Sequence, residues 1–185
     1  ERKDQIRFIT YAYQESLGAP VKEDSGKKVP IDETVIARDN ICFMVAALHD
    51  DYTYSIVDER NRTLATTINE WSVVSNSVYM YMYSLNATNF LLPYYNFNAI
   101  EENYRAMAAN PSVRYMFDQG QQRSDTSCFR ELHAYVQSSL MWDTSLHTED
   151  LVDEFLTQYY GPCADEIKEF FESERNWLNY CFASE

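Results

Sequence analysis

Glycine is scarce in this chain. Four residues out of 185, Gly18, Gly26, Gly120 and Gly161, are all it has. None of them falls in a GxGxxG or GxxxxGK arrangement that would let the backbone close on a pyrophosphate, which argues against a nucleotide cofactor. No GxSxG elbow is present to carry a serine nucleophile either. The four cysteines, Cys42, Cys128, Cys163 and Cys181, lie far apart and share no metal-ligand spacing with histidine. A zinc site is therefore not expected, nor any other cofactor, and the cysteines read as buried free thiols.

Positive charge is also in deficit. Fifteen Lys and Arg face 29 Asp and Glu, a formal net charge of −14 with an isoelectric point near 4.5. Such a surface repels phosphate backbones and anionic lipid, which argues against nucleic-acid and membrane partners. No apolar run approaches the roughly 20 residues that cross a bilayer, and the opening ERKDQ leads into no signal-type segment. The chain starts on Glu1 and enters a strand-like stretch almost at once, which reads as a piece of a longer protein. Two sequons, Asn61-Arg62-Thr63 and Asn86-Ala87-Thr88, carry no weight, because such triplets arise readily by chance.

Apolar and aromatic residues are what the chain has in quantity, at 45% and 15%, enough to close the core of one domain. Ile6–Tyr13 has the β-branched and aromatic content of a strand, and Gly18 to Pro30 reads as a loop. Val35–Ala37 and Ile41–Ala47 form a second apolar region, interrupted by Arg38, Asp39 and Asn40. Leu64, Ile68, Trp71 and Val74 recur at helical spacing, and Val78–Ser84 (VYMYMYS) reads as a strand buried on both faces. Asn98 is positioned to cap the next helix, whose inner face is Ile100, Tyr104 and Met107 and which Asn110-Pro111 ends. Strand Val113–Phe117 follows. Phe129, Leu132, Val136 and Leu140 trace another helix, Leu151, Phe155 and Tyr159 a further one ending on Gly161-Pro162, and Ile167 to Leu178 a last amphipathic one.

Short strands alternating with helices define an α/β class built from βαβ units on a parallel sheet. About four strands are visible, which is half a closed barrel or a small open sheet. In either architecture ligands meet the carboxyl ends of the strands. Those ends offer Tyr13 and Gln14, then Arg38, then Asn89, then Asp118 and Gln119. Amides and acids bind hydroxyl groups and aromatic faces cover the apolar side of a sugar ring, so this rim points to carbohydrate. The competing reading leaves the aromatic residues in the core and the Asn and Asp residues as turn markers. His49, His133 and His147 are scattered and read as solvated or core residues.

The same segments resemble a known family. Tyr11-Ala12-Tyr13-Gln14, Thr88-Asn89-Phe90-Leu91-Leu92-Pro93, Phe117-Asp118-Gln119-Gly120, Glu131-Leu132-His133-Ala134-Tyr135, Met141-Trp142-Asp143, Asp153-Glu154-Phe155-Leu156 and Tyr159-Tyr160-Gly161-Pro162 match, in order, the C-terminal part of the domain of unknown function 4838 family. Members look like glycoside hydrolases of the TIM-barrel kind, typically parts of larger bacterial polysaccharide-processing proteins, secreted or on the cell surface. The resemblance implies a partial (β/α) barrel over residues 1–143, with residues 144–185 as a helical extension packed on it. It implies a sugar-binding cleft in which Asp118 is the candidate catalytic carboxylate and Tyr13, Gln14, Arg38, Asn89 and Gln119 bind substrate. The family usually has glutamate where Asp118 stands, and a histidine in the segment that reads Ile41-Cys42-Phe43-Met44-Val45 here. A carbohydrate-binding or structural module without turnover is the alternative. A half-barrel leaves strand edges and one sheet face bare, so a homodimer, or association with the missing half of the barrel, is expected.

Overall fold

The computed structural model describes residues 6–86, 94–120 and 127–182. Among the described residues six strands and five α-helices follow in chain order: β1 Phe8–Tyr13, β2 Val21–Asp24, β3 Lys27–Pro30, β4 Ile41–Ala46, α1 Arg62–Val74, β5 Val78–Met82, α2 Phe97–Ala109, β6 Val113–Asp118, α3 Arg130–Trp142, α4 Thr148–Tyr160 and α5 Ala164–Phe182. β1, β4, β5 and β6 form one sheet in that order, and every pairing in it is parallel. This is the α/β architecture read from the sequence, with four parallel strands interleaved with helices and closing helices at the C-terminus.

Because each strand lies beside the previous one, crossovers of constant hand return every helix to the same side of the sheet. One sheet face is therefore sealed. Ala12, Val45, Val78, Met80 and Met82 are all fully buried in a core that includes Leu64, Ile68 and Trp71 of α1, Ile100 and Tyr104 of α2, and Leu132 and Val136 of α3. The other face is open. Ile9, Tyr11, Tyr115 and Phe117 are 54%, 64%, 42% and 42% exposed there, and Tyr79 and Tyr81 are half-buried between them. β5 is thus buried on one face only, not on both: its methionines face the helices and its tyrosines face out.

Across the open face Arg7 Nη1, just before β1, donates to the Tyr115 hydroxyl on β6 at 2.6 Å. Side chains from the first and last strands thus meet on the side away from the helices, the side that is the concave interior in a partial barrel.

A bulge sets the faces of β6. Val78 pairs with Val113, but Tyr79 pairs with Tyr115 and Met82 with Asp118. Arg114 is the extra residue. Side chains alternate with period two, so an extra residue inverts the parity of everything after it. Tyr115 and Phe117 consequently join the open face, while Met116 and Asp118 turn toward the helices.

Three local readings are corrected. The segment from Gly18 to Pro30 is a β-hairpin, not a loop, with β2 and β3 antiparallel around Ser25 and Gly26, both at positive φ, 52° and 79°; that backbone is the turn that matches strand twist. Val35 ends a short 3-10 turn capped by the Asp32 side chain, and the second strand of the parallel sheet starts only at Ile41. The helix expected to be capped by Asn98 begins at Phe97 after Asn96. The cysteines are free, though only Cys42 is buried and Cys163 is exposed.

Candidate functional site

The carboxyl pole of the sheet carries a contiguous aromatic and amide array. At the end of β1, Gln14 holds φ at 49°, a left-handed conformation uncommon for a residue with a side chain. The Ser16 hydroxyl stabilises that turn, accepting from Tyr13 N at 3.2 Å and donating to Tyr13 O at 3.0 Å. On the open face the Tyr81 ring lies 4.8 Å from Phe117 and 5.0 Å from Tyr83, centroid to centroid, within the range of favourable aromatic contact. The Tyr81 hydroxyl donates to Gln119 Oε1 at 2.7 Å. Tyr83 and Tyr13 share a hydrogen bond, and the Tyr83 phenol is pushed up to about 12, first by burial and then by the neighbouring tyrosines. Tyr13 and Gln119 are thus linked at this pole through Tyr83 and Tyr81, and Gln14 follows Tyr13 at the same strand end.

Asp118 is at the same pole but on the helix side. Its Oδ1 accepts from Ser84 N at 3.1 Å. Its Oδ2 accepts from Ser84 Oγ at 2.8 Å, the Tyr104 hydroxyl at 2.8 Å and Gln137 Nε2 at 3.1 Å. The carboxyl therefore ties the end of β5 to α2 and α3. Burial pushes its pKa up, and the Ser84, Tyr104 and Gln137 hydrogen bonds only partly offset this. A carboxyl in that position holds a proton more readily than one in water.

The segment after β4 folds over the strand tips. Asn61, 3% exposed, is its hub: Nδ2 donates to the carbonyls of Asp51, Tyr54 and Ser55 at 2.8, 3.1 and 3.2 Å, and Oδ1 accepts from Asp51 N at 3.3 Å. The buried Tyr52 hydroxyl donates to Ala47 O at 2.8 Å. Its phenol is pushed far up, chiefly by burial, with Asp50 the next cause and Asp118 a smaller one. Asp50 is itself raised by burial. A second carboxyl at this pole therefore shares an electrostatic neighbour with Asp118.

One expected residue lies elsewhere. Arg38 precedes β4, and Ile41 N donates to its carbonyl at 2.9 Å; the adjacent Asp39 carboxylate accepts from Asn76, just before β5, at 3.1 Å. That is the amino pole, opposite Gln14 and Gln119. Arg38 was assigned to the rim because the second strand was expected to end, not begin, beside it. Asn89 lies outside the described residues. Tyr81, Tyr83, Asp50, Tyr52 and the partners of Asp118 were not foreseen. The strict alternation of tyrosine and methionine in Tyr79-Met80-Tyr81-Met82-Tyr83 is the signal for the first two, since period two places three tyrosines on one face. The histidines read as solvated or core residues divide accordingly. His133 is buried; His49 and His147 are exposed.

Residues 5–172 match the family described as Domain of unknown function (DUF4838). No curated protein matches the chain, and no solved structure does.

Proposed function

The chain belongs to the DUF4838 family, and from that premise and the strand-tip geometry we propose that it is part of a carbohydrate-active, glycoside-hydrolase-like protein and supplies part of a sugar-binding cleft. The observation that carries this reading is the array of Tyr13, Tyr81, Tyr83 and Phe117 joined to Gln119 on the open concave face. Adjoining tilted rings with amide groups at their margin suit a neutral ligand with one apolar face and a fringe of hydroxyls. Gln14 and Gln119 take hydroxyls, and the rings cover the sugar.

Binding without turnover is the second reading, and a specific observation favours it. The residues that register and alternation place on the concave face, from Arg7, Ile9, Tyr11 and Tyr13 across to Tyr115 and Phe117, include no carboxylate. Glycoside hydrolysis ordinarily uses two. Asp118 serves as the catalytic acid only if its hydrogen-bonded niche opens to the cleft.

Titration of the chain with a panel of neutral oligosaccharides, followed by tyrosine fluorescence, tests the binding. Saturable quenching in the native chain, lost in Tyr81→Leu with the fold intact, supports the reading; no response to any member, or an unchanged response in the variant, refutes it. Asp118→Asn in the complete parent protein separates the two versions. Preserved hydrolysis removes Asp118 from the chemistry.

The bare concave face and the free edges of β1 and β6 also support association, either with a second copy or with the rest of a barrel. Sedimentation at micromolar concentration reports it. A stable monomer that buries no further surface counts against this part of the proposal.

A further inference from the structure

We propose that the groove between α5 and the segments that follow β4 and β5 is a second sugar subsite, so that the ligand is a neutral oligosaccharide running from the open face of the sheet over its carboxyl pole to Trp177. The inference rests on the sugar-binding reading above and extends it from a single ring to a chain. The groove encloses about 580 Å³, a volume typical of small-molecule sites. Its platform faces solvent. Trp177 is 68% exposed and lines the groove with Tyr94 and Leu178, both half-buried. A rigid ring that meets water at the wall of a groove offers a ligand contact area at little entropic cost.

The margin of the groove suits hydroxyl groups. Asn86, Ser173 and Glu174 border the rings. Among the described residues no Lys, Arg or His lines the groove, so a phosphate or carboxylate ligand would meet no counter-charge. Glu174 is half-buried and makes no hydrogen bond or ion pair among the described residues, and burial raises its pKa. A carboxyl withdrawn from water without a protein donor is completed by a ligand hydroxyl, because a polar group left unpaired costs free energy.

Continuity with the open face follows from the chain itself. Asn86 stands three residues beyond Tyr83, whose ring belongs to the array on the sheet, and three residues span at most about 11 Å. Leu85 N donates to Tyr83 O at 2.7 Å, which tightens that turn further. From the other side, Thr53 lines the groove and follows Tyr52, whose phenol neighbours the Tyr83 main chain. Asp51 and Asp118 add to burial in raising the Tyr94 phenol, which sets the groove at the same pole as Asp118. A chain held at one platform meets the second as an intramolecular event, so two platforms this close favour an oligomer over a single sugar.

The test is calorimetric titration of the chain with cello-, malto- and xylo-oligosaccharides, each from the single sugar to the pentamer. We expect affinity in at least one series to rise about tenfold or more over the single sugar once the oligomer spans both platforms. Trp177→Ala should return the long oligomers to the affinity of the single sugar, and Glu174→Ala should weaken them severalfold. Trp177 stands in solvent, so the fold survives its removal. Tyr81→Leu should weaken every length. Affinity that does not depend on length, or a gain with length that persists in Trp177→Ala, overturns the second subsite; the sugar-binding reading still stands in that case if Tyr81→Leu abolishes binding. No saturable binding of any length to the native chain overturns both.

Discussion

Acidifying the protein from pH 7.5 to pH 4 should remove the stabilisation that one buried histidine supplies. His133 on α3 is 3% exposed, its ring lies 4.2 Å from that of Phe97, Nδ1 is 3.0 Å from Phe129 O, and Nε2 is 2.8 Å from Asn96 Oδ1. Burial lowers its pKa from 6.5 to about 4. A neutral imidazole donates from only one nitrogen. It is satisfied when Nδ1–H serves Phe129 O and the Asn96 carboxamide presents its nitrogen to Nε2, a rotation that also gives a partner to the buried Asn96 Nδ2, which otherwise has none among the described residues. The folded state then binds fewer protons than the unfolded state between pH 6.5 and about 4, so the stabilisation is complete above 6.5 and is lost as the pH falls through that window. A displacement from 6.5 to about 4 corresponds to about 3 kcal/mol. Asp118, Asp50 and Glu174, raised by burial, act in the opposite sense, because their contribution is present at low pH and lost as pH rises. Comparison with His133→Gln cancels them. Urea unfolding followed by circular dichroism across the window should show the stability advantage of the native chain over the variant shrinking by about 3 kcal/mol. Asn96→Asp should reverse the slope by placing a carboxylate against Nε2. A constant difference between native chain and variant, or one that grows as pH falls, refutes the reasoning.

Other outcomes follow from the packing. Leu156→Ala, at a position 1% exposed in α4, should cost about 2–5 kcal/mol in urea unfolding. Asn61→Ala should cost about 2–4 kcal/mol, because it strips donors from three carbonyls, and should expose the segment after β4 to limited proteolysis. Asp118→Ala should destabilise by about 2–4 kcal/mol by leaving the Ser84, Tyr104 and Gln137 donors unpaired, and Asp118→Asn by less. An aromatic disulfide reagent should label Cys163 in the native protein, while Cys42, 2% exposed, should react only on unfolding.

The helices were legible because their apolar residues repeat at a period that only a helix satisfies: Leu64, Ile68 and Trp71 are all buried on α1. The parallel order followed from alternation of strands and helices. The hairpin was hidden because Lys22, Glu23, Lys27 and Lys28 give it no apolar pattern, its stability coming from backbone pairing and from contacts such as the Lys28–Glu70 ion pair at 2.9 Å. Of the rim, Tyr13, Gln14 and Gln119 could be read because each directly follows or closes a strand whose end was found. Arg38 could not, since an apolar triplet before it mimicked a strand. Neither could the orientation of Asp118, since composition does not reveal where a ladder skips a residue. Asn61, read as part of a chance sequon, has its amide committed to three carbonyls, so the folded state offers no acceptor there.

The single unpaired position at Arg114 has an implication for how such proteins diversify. Removing it would exchange the two sides of the last strand in one step, delivering the Asp118 carboxylate to the hollow of the sheet and sending Tyr115 and Phe117 into the helical layer. Length variation by one codon in that strand is therefore a route between a sheet that presents rings and one that presents an acid, with no side chain replaced. Sequences that differ there in length should be compared by which residues they show to the hollow, rather than by which residues they contain.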